Sequence, residues 1–302
     1  MKRLPYCGFG AWCAAYAFLN TTRCRRVTPE LYELLSGVPF GIAFHIRCPS
    51  RILVPFTEPY HEVEAVAKVL GYKAAAHKYD DISSVMDFLA ELPPHSRVMI
   101  GPINMGFLDY LPQNMFYMNQ SHYISVEKQE DGKYRITDSE CVFAASCTGK
   151  HLRKIISPKD IPEANGAVHV WRFERAGDGY PEEKFVSVIR DVAYGNLSKA
   201  EKAGHGSLAV KRCAEFLSAA DIDGRRLRTC YDINYLLQRK LLAEGCCAIW
   251  SAYQKKIIEK QTDILCILRG DIMAGGSVNT DLLLSFADFE YELTVSTERQ
   301  RG

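Results

Sequence analysis

The stretch from Ser121 to Ser139, SHYISVEKQEDGKYRITDS, constrains the fold more than any other part of the chain. Two runs of alternating character flank Glu130-Asp131-Gly132, with glycine where a positive φ is usually needed. The pattern predicts a β-hairpin whose three-residue loop closes on a glycine bulge. Gln129 then faces Lys133, Val126 faces Ile136, and Ile124 faces Asp138. One face carries His122, Ile124, Val126, Tyr134, Ile136 and Asp138. The other carries Tyr123, Ser125, Glu127, Lys133, Arg135 and Thr137. An imidazole and a carboxylate therefore end the apolar face as diagonal neighbours, with Cβ atoms roughly 7–8 Å apart. A carboxylate that orients a histidine is half of a nucleophilic triad. The other half is a Ser or Cys elsewhere. Any other loop closure would put the two groups on opposite faces.

Around this hairpin the pattern predicts an α+β domain over 1–175. A helix rich in small residues runs from Cys7 to Leu19, and short helices follow Pro29 and Pro59. Residues 36–44 read as a glycine-punctuated loop or strand. A helix over Ile82–Leu92 is capped near Asp80 or Asp81 and ended by Pro93-Pro94. Arg97–Ile103 and Gly166–Phe173 read as strands, giving helices first and then a mostly antiparallel sheet. After a linker at 177–181 the spacing becomes helical in five segments, so 176–302 is expected to be an α-helical domain.

The formal net charge of +1 gives no reason to expect nucleic acid or an anionic membrane as a partner. No run approaches the roughly 18 apolar residues of a membrane span. The opening MKRLPYCGFGAWC has two cations before an apolar run, but Gly8 and Gly10 interrupt it, so a signal peptide is not expected. Eleven cysteines are scattered without a CxxC pair or zinc spacing. They fit reduced thiols in a cytoplasmic protein, with no metal and no resident cofactor. The other histidines show no metal-site spacing either, and His169, in an apolar strand, reads as structural.

No G-x-S-x-G elbow surrounds a serine, which leaves cysteine as the nucleophile to look for. Cys7 and Cys13 bracket the start of the first helix. A thiol at a helix N-terminus ionises more readily because of the unpaired N–H groups and the dipole, and an imidazolium adds to this. Cys7-Gly8-Phe9-Gly10-Ala11-Trp12-Cys13-Ala14-Ala15 resembles the nucleophile helix of bacteriocin-leader cysteine peptidases, in which Cys-Gly begins the helix. That resemblance makes Cys7 the nucleophile, with His122 and Asp138 as its partners. A papain-like alternative starts the helix at Ala11-Trp12-Cys13 and makes Cys13 the nucleophile. The leader peptidases carry a Gln six residues before the Cys as an oxyanion donor, and Met1 stands there in this chain. Asn104, Asn114, Asn119 and Gln120, in the approach to His122, are the other candidate donors.

A second resemblance spans more of the chain. Leu34–Phe44, Gly101–Pro112 and Gly206–Leu217 are similar to segments of the butirosin-biosynthesis acyltransferase family (BtrH-type), a papain-like domain followed by a helical one. The resemblance implies a Cys-His-Asp acyltransferase that moves an acyl group from a carrier-protein thioester to a small amine and forms an amide. Its partners would be an acyl or peptidyl carrier protein, with the substrate on a phosphopantetheine arm, and an amine acceptor. Asp109 and Tyr110, just before the histidine strand, are candidates to line the acyl channel. Lys211, Arg212, Arg225, Arg226 and Arg228 are candidates to dock an acidic carrier, or else a solvated face. A papain-like peptidase and an inert binding protein on the same fold are the alternatives.

Overall fold

The computed structural model describes residues 12–44, 53–57, 62–111, 118, 120–139, 145–156, 166–218 and 226–301. The protein is mixed α+β. Its chain divides into two compact units, Met1–Tyr32 with Pro59–Tyr180, and Glu33–Glu58 with Pro181–Gly302. Segment 33–58, which the sequence pattern grouped with 1–175, thus belongs with the helices. The border falls inside α2 (Pro29–Ser36), the second helix after α1 (Cys13–Thr22).

In the second unit, β1 (Ile42–Phe44) pairs with β2 (Leu53–Pro55). Ile42 and Leu53 join the core of α7 (Ser207–Ser218), α8 (Arg226–Gly245), α9 (Ala252–Met273) and α10 (Thr280–Arg301). Gly206 N donates to Ile42 O at 2.7 Å, and Leu53 N donates to the Asp232 carboxylate at 3.3 Å. These partners give a short, otherwise unsupported hairpin its place, and sequence spacing alone carries no trace of them. α9 begins directly after Ser251, which forms a capping box with Gln254.

The first unit adds α3 (Val63–Val69), α4 (Ile82–Glu91) and α5 (Gly149–Ile155) to a six-stranded antiparallel sheet. The strands are β3 (Tyr72–Tyr79), β4 (Arg97–Asn104), β5 (Ser121–Lys128), β6 (Tyr134–Thr137), β7 (Ala145–Cys147) and β8 (Val168–Arg175), in the order β3-β8-β4-β5-β6-β7. The continuous apolar run of β4 reflects a central strand covered on both sides. On one face, Val85, Leu89, Leu152 and Ile155 of α4 and α5 pack with Ile100, Ile124, Val126 and Ile136. Asp81 caps α4, accepting from Ser84 N at 2.9 Å.

On the other face α1 lies along β5. Its buried Ala14, Ala15 and Ala17 add little bulk to the helix, which favours close approach to the sheet, and Thr21 donates to Ser125 at 2.9 Å. This cover explains why Tyr123 and Ser125 are buried although they alternate with the apolar set. Glu127, on the same side, is buried against Arg97 at 2.5 Å.

The hairpin register follows the alternation. Val126 pairs with Ile136 and Lys128 with Tyr134. Gln129 N donates to Lys133 O at 2.8 Å, and Gly132 sits at φ 76°, where a side chain would be strained. All six residues of the predicted apolar face are buried. One feature the spacing does not betray is a bulge in β4. Ile100 pairs with Ile124 and Ile103 with His122, so one extra β4 residue intervenes at Gly101-Pro102. A Cβ at position 101 would collide with the Tyr123 ring. Bulges bend and twist the strand that carries them, and this one lies beside His122.

Candidate active site

His122 opens β5, and Asp138 follows directly on β6. The hairpin brings them together as predicted: His122 Nε2 lies 2.8 Å from Asp138 Oδ1, with their side chains 2% and 0% exposed. The second carboxylate oxygen, Oδ2, accepts from the Tyr110 hydroxyl at 2.5 Å.

Among the described residues, the thiol beside this pair is Cys13, the first residue of α1, half-buried and near enough to the His122 side chain to act on its ionisation. Asp138 occupies Nε2, which leaves Nδ1 for the thiol. Two contacts fix the helix on the strand, Cys13 with His122 and Thr21 with Ser125. Eight helical steps cover about 12 Å and three strand steps about 10 Å, so helix and strand run side by side in the same direction. The N-cap residue Trp12 offers no side-chain cap, so the first N–H groups of α1 are free of that competition beside the thiol. Cys7, the nucleophile favoured by the leader-peptidase resemblance, lies outside the described residues.

Burial pushes the His122 imidazole down, but the Asp138 carboxylate and then the Cys13 thiol outweigh it, and the ring sits well above its ordinary value. Burial, and next Asp138, hold the Tyr110 phenol far above its usual range, so it donates throughout the accessible pH range. Burial pushes Cys147 up to about 11, and burial raises Cys213 as well.

Tyr110, a sequence candidate to line an acyl channel, has its hydroxyl on Asp138. Asp109 is turned the other way, to His151 at 3.0 Å and Lys154 at 3.3 Å on α5. Of the candidate oxyanion donors, Asn104 is buried and its side-chain oxygen accepts from Gly106 N at 3.0 Å. Gln120 carries a buried Oε1 without a hydrogen-bond partner among the described residues, and Asn114 and Asn119 lie outside them. His169 stacks on Trp171 with ring centroids 5.4 Å apart. Lys211 pairs with Asp288 at 3.2 Å. Among the described residues no group of three or more His, Cys, Asp or Glu is placed to hold a metal, and no helix is long and apolar enough to cross a membrane.

The arrangement is an imidazole hydrogen-bonded to a carboxylate, with a thiol beside the ring. It can move a proton between sulfur and nitrogen while the carboxylate fixes the ring. No family model matches the chain. It is 23% identical over 172 residues to the uncharacterized protein YobF of Bacillus subtilis strain 168, a match covering 56% of this chain and 55% of that protein. The chain thus spans about half the length of this curated relative.

Proposed function

We propose that the protein is a papain-like cysteine acyltransferase, which forms an acyl-cysteine from a thioester and passes the acyl group to an amine. The observation that carries the reading is the Cys13–His122–Asp138 chain, with the thiol at a helix start and the imidazole buried between thiol and carboxylate. In this reading the nucleophile's role falls to Cys13, the described thiol that lies beside His122 at the start of α1, and Nδ1 is the ring nitrogen that Asp138 leaves to it.

Chemically, the Cys13 thiol gives its proton to His122 Nδ1 and its sulfur attacks the acyl carbon. The departing thiolate takes the proton from the ring as its carbon–sulfur bond breaks. An amine then attacks the acyl-cysteine, its proton passes to Nδ1, and Cys13 leaves as the thiol. Asp138 holds the ring so that Nδ1 faces sulfur in both halves. Hydrolysis uses the same groups, with water in place of the amine. Preference for the amine rests on the similarity of Leu34–Phe44, Gly101–Pro112 and Gly206–Leu217 to the carrier-dependent acyltransferases. The acyl donor is then a carrier-protein thioester, with the phosphopantetheine arm belonging to substrate.

The test is to incubate the full chain with a simple acyl thioester with and without a diamine. The expected products are amide with the diamine and little free acid. Free acid regardless of diamine would make the enzyme a hydrolase or peptidase, and no turnover together with no covalent adduct would favour a binding protein.

A further inference from the structure

We infer that Tyr110 is a positioning residue: its hydroxyl pins the second oxygen of Asp138 and thereby fixes which ring nitrogen of His122 faces Cys13. The inference rests on the proposed function and extends the triad by one member.

A carboxylate held at one oxygen keeps a soft terminal torsion, because sp³–sp² rotors have broad minima. Asp138 is held at both. Oδ1 meets His122 at 2.8 Å, Oδ2 meets Tyr110 at 2.5 Å, and Ser139 Oγ adds a long contact of 3.5 Å to Oδ1. With the carboxylate plane fixed, the Nε2 hydrogen bond sets the tilt of the imidazole, and the tilt sets the aim of Nδ1.

The arm that carries the phenol is itself braced. Asn104 accepts from Gly106 N at 3.0 Å, Leu108 N donates to Met105 O at 3.1 Å, and Leu111 N donates to Leu108 O at 2.9 Å. Leu108 and Leu111, on either side, are buried in the core under the sheet. Asp109 ties the outside of the arm to His151 and Lys154. Tyr110 thus enters from a rigid loop outside the hairpin, so the orientation of Asp138 does not depend on β6 alone. The titratable groups facing this pair are His122 and Cys13 on one side, and Cys147 and Asp109 beside the phenol.

Timed alkylation of Cys13 with iodoacetamide, followed by peptide mapping, reads the site without a substrate. Tyr110→Phe keeps the ring and removes only the hydroxyl. It is expected to slow Cys13 alkylation on the order of tenfold at neutral pH, as for a lost hydrogen bond to a charged group. A buried carboxylate short of a donor takes up its proton more readily, so the acid limb of the alkylation profile should also move to higher pH. In an Asp138→Asn background Tyr110→Phe should add nothing, because the hydroxyl acts only through that carboxylate. An unchanged rate and acid limb, or a full effect in the Asp138→Asn background, overturns the inference. His122→Ala separates it from the reading beneath: if wild-type alkylation ignores that change the proposed function fails, whereas His122-dependent alkylation that Tyr110→Phe leaves unchanged removes only the role of Tyr110.

Discussion

Both units of the protein bury carboxylates, and they treat them differently. In the sheet unit, Asp138 has a donor at each oxygen, and one of them, His122, has the half-exposed Cys13 thiol beside it. In the helical unit, Glu33 lies 3.5 Å from the buried Arg239, and neither of its oxygens has a hydrogen-bond partner among the described residues. Lys240 meets Glu290 at 2.7 Å, and Gln261 donates to the same oxygen. Burial of charge is common to both units. What sets the first apart is donors aimed at the carboxylate and a thiol beside the imidazole. Glu33 shows the other outcome: burial pushes its carboxyl up to about 7 despite Arg239.

The comparison breaks most visibly at sulfur. Cys13→Ala should lower acyl transfer at least about a thousandfold, as removal of a nucleophile from a triad does, and steady-state rates with a thioester mimic check it. Asp138→Asn should cost roughly 10²–10⁴ in kcat by loss of ring orientation. Lys240→Met makes the opposite prediction. It leaves the buried Glu290 charge without its cation and with the Gln261 amide as its donor, so urea unfolding should show a loss of about 3–5 kcal/mol, while the rate of Cys13 alkylation stays at the wild-type value.

The pH dependence sharpens the contrast further. Glu33 is raised from 4.5 to about 7 in the folded chain, so its contribution to stability is complete below 4.5 and is lost as pH rises toward and past about 7. Glu33→Gln should remove that slope, which is on the order of 3 kcal/mol. His122 is also raised, but from 6.5, so its contribution is complete below 6.5 and is lost only as pH passes its higher folded value. Unfolding free energies across pH in Glu33→Gln and in His122→Gln should therefore flatten different windows. The smallest effect is local. Gly132→Ala has open space for its Cβ but keeps φ at 76°, so it should cost about 1 kcal/mol from backbone strain alone.

How much of this was legible depended on how local the signal was. The hairpin was readable because alternation and one glycine fix its register, and register fixes which side chains share a face. The helices of the second unit were readable from their period. The start of α1 was ambiguous because Cys7 and Cys13 both precede small residues with glycines between them, and Cys7 lies outside the described residues. The bond from Tyr110 to Asp138 was not legible because the two lie 28 residues apart, across a loop whose path no period describes. The bulge at Gly101-Pro102 and the membership of 33–58 in the helical unit likewise arise from pairing partners distant in sequence.

The central claim is that Cys13 carries the acyl group. Peptide mapping after brief exposure to an acyl thioester tests it directly, in wild type, Cys13→Ala and Cys7→Ala. The account predicts an acyl adduct on Cys13 that persists in Cys7→Ala and disappears in Cys13→Ala. An adduct on Cys7 that survives Cys13→Ala would contradict it.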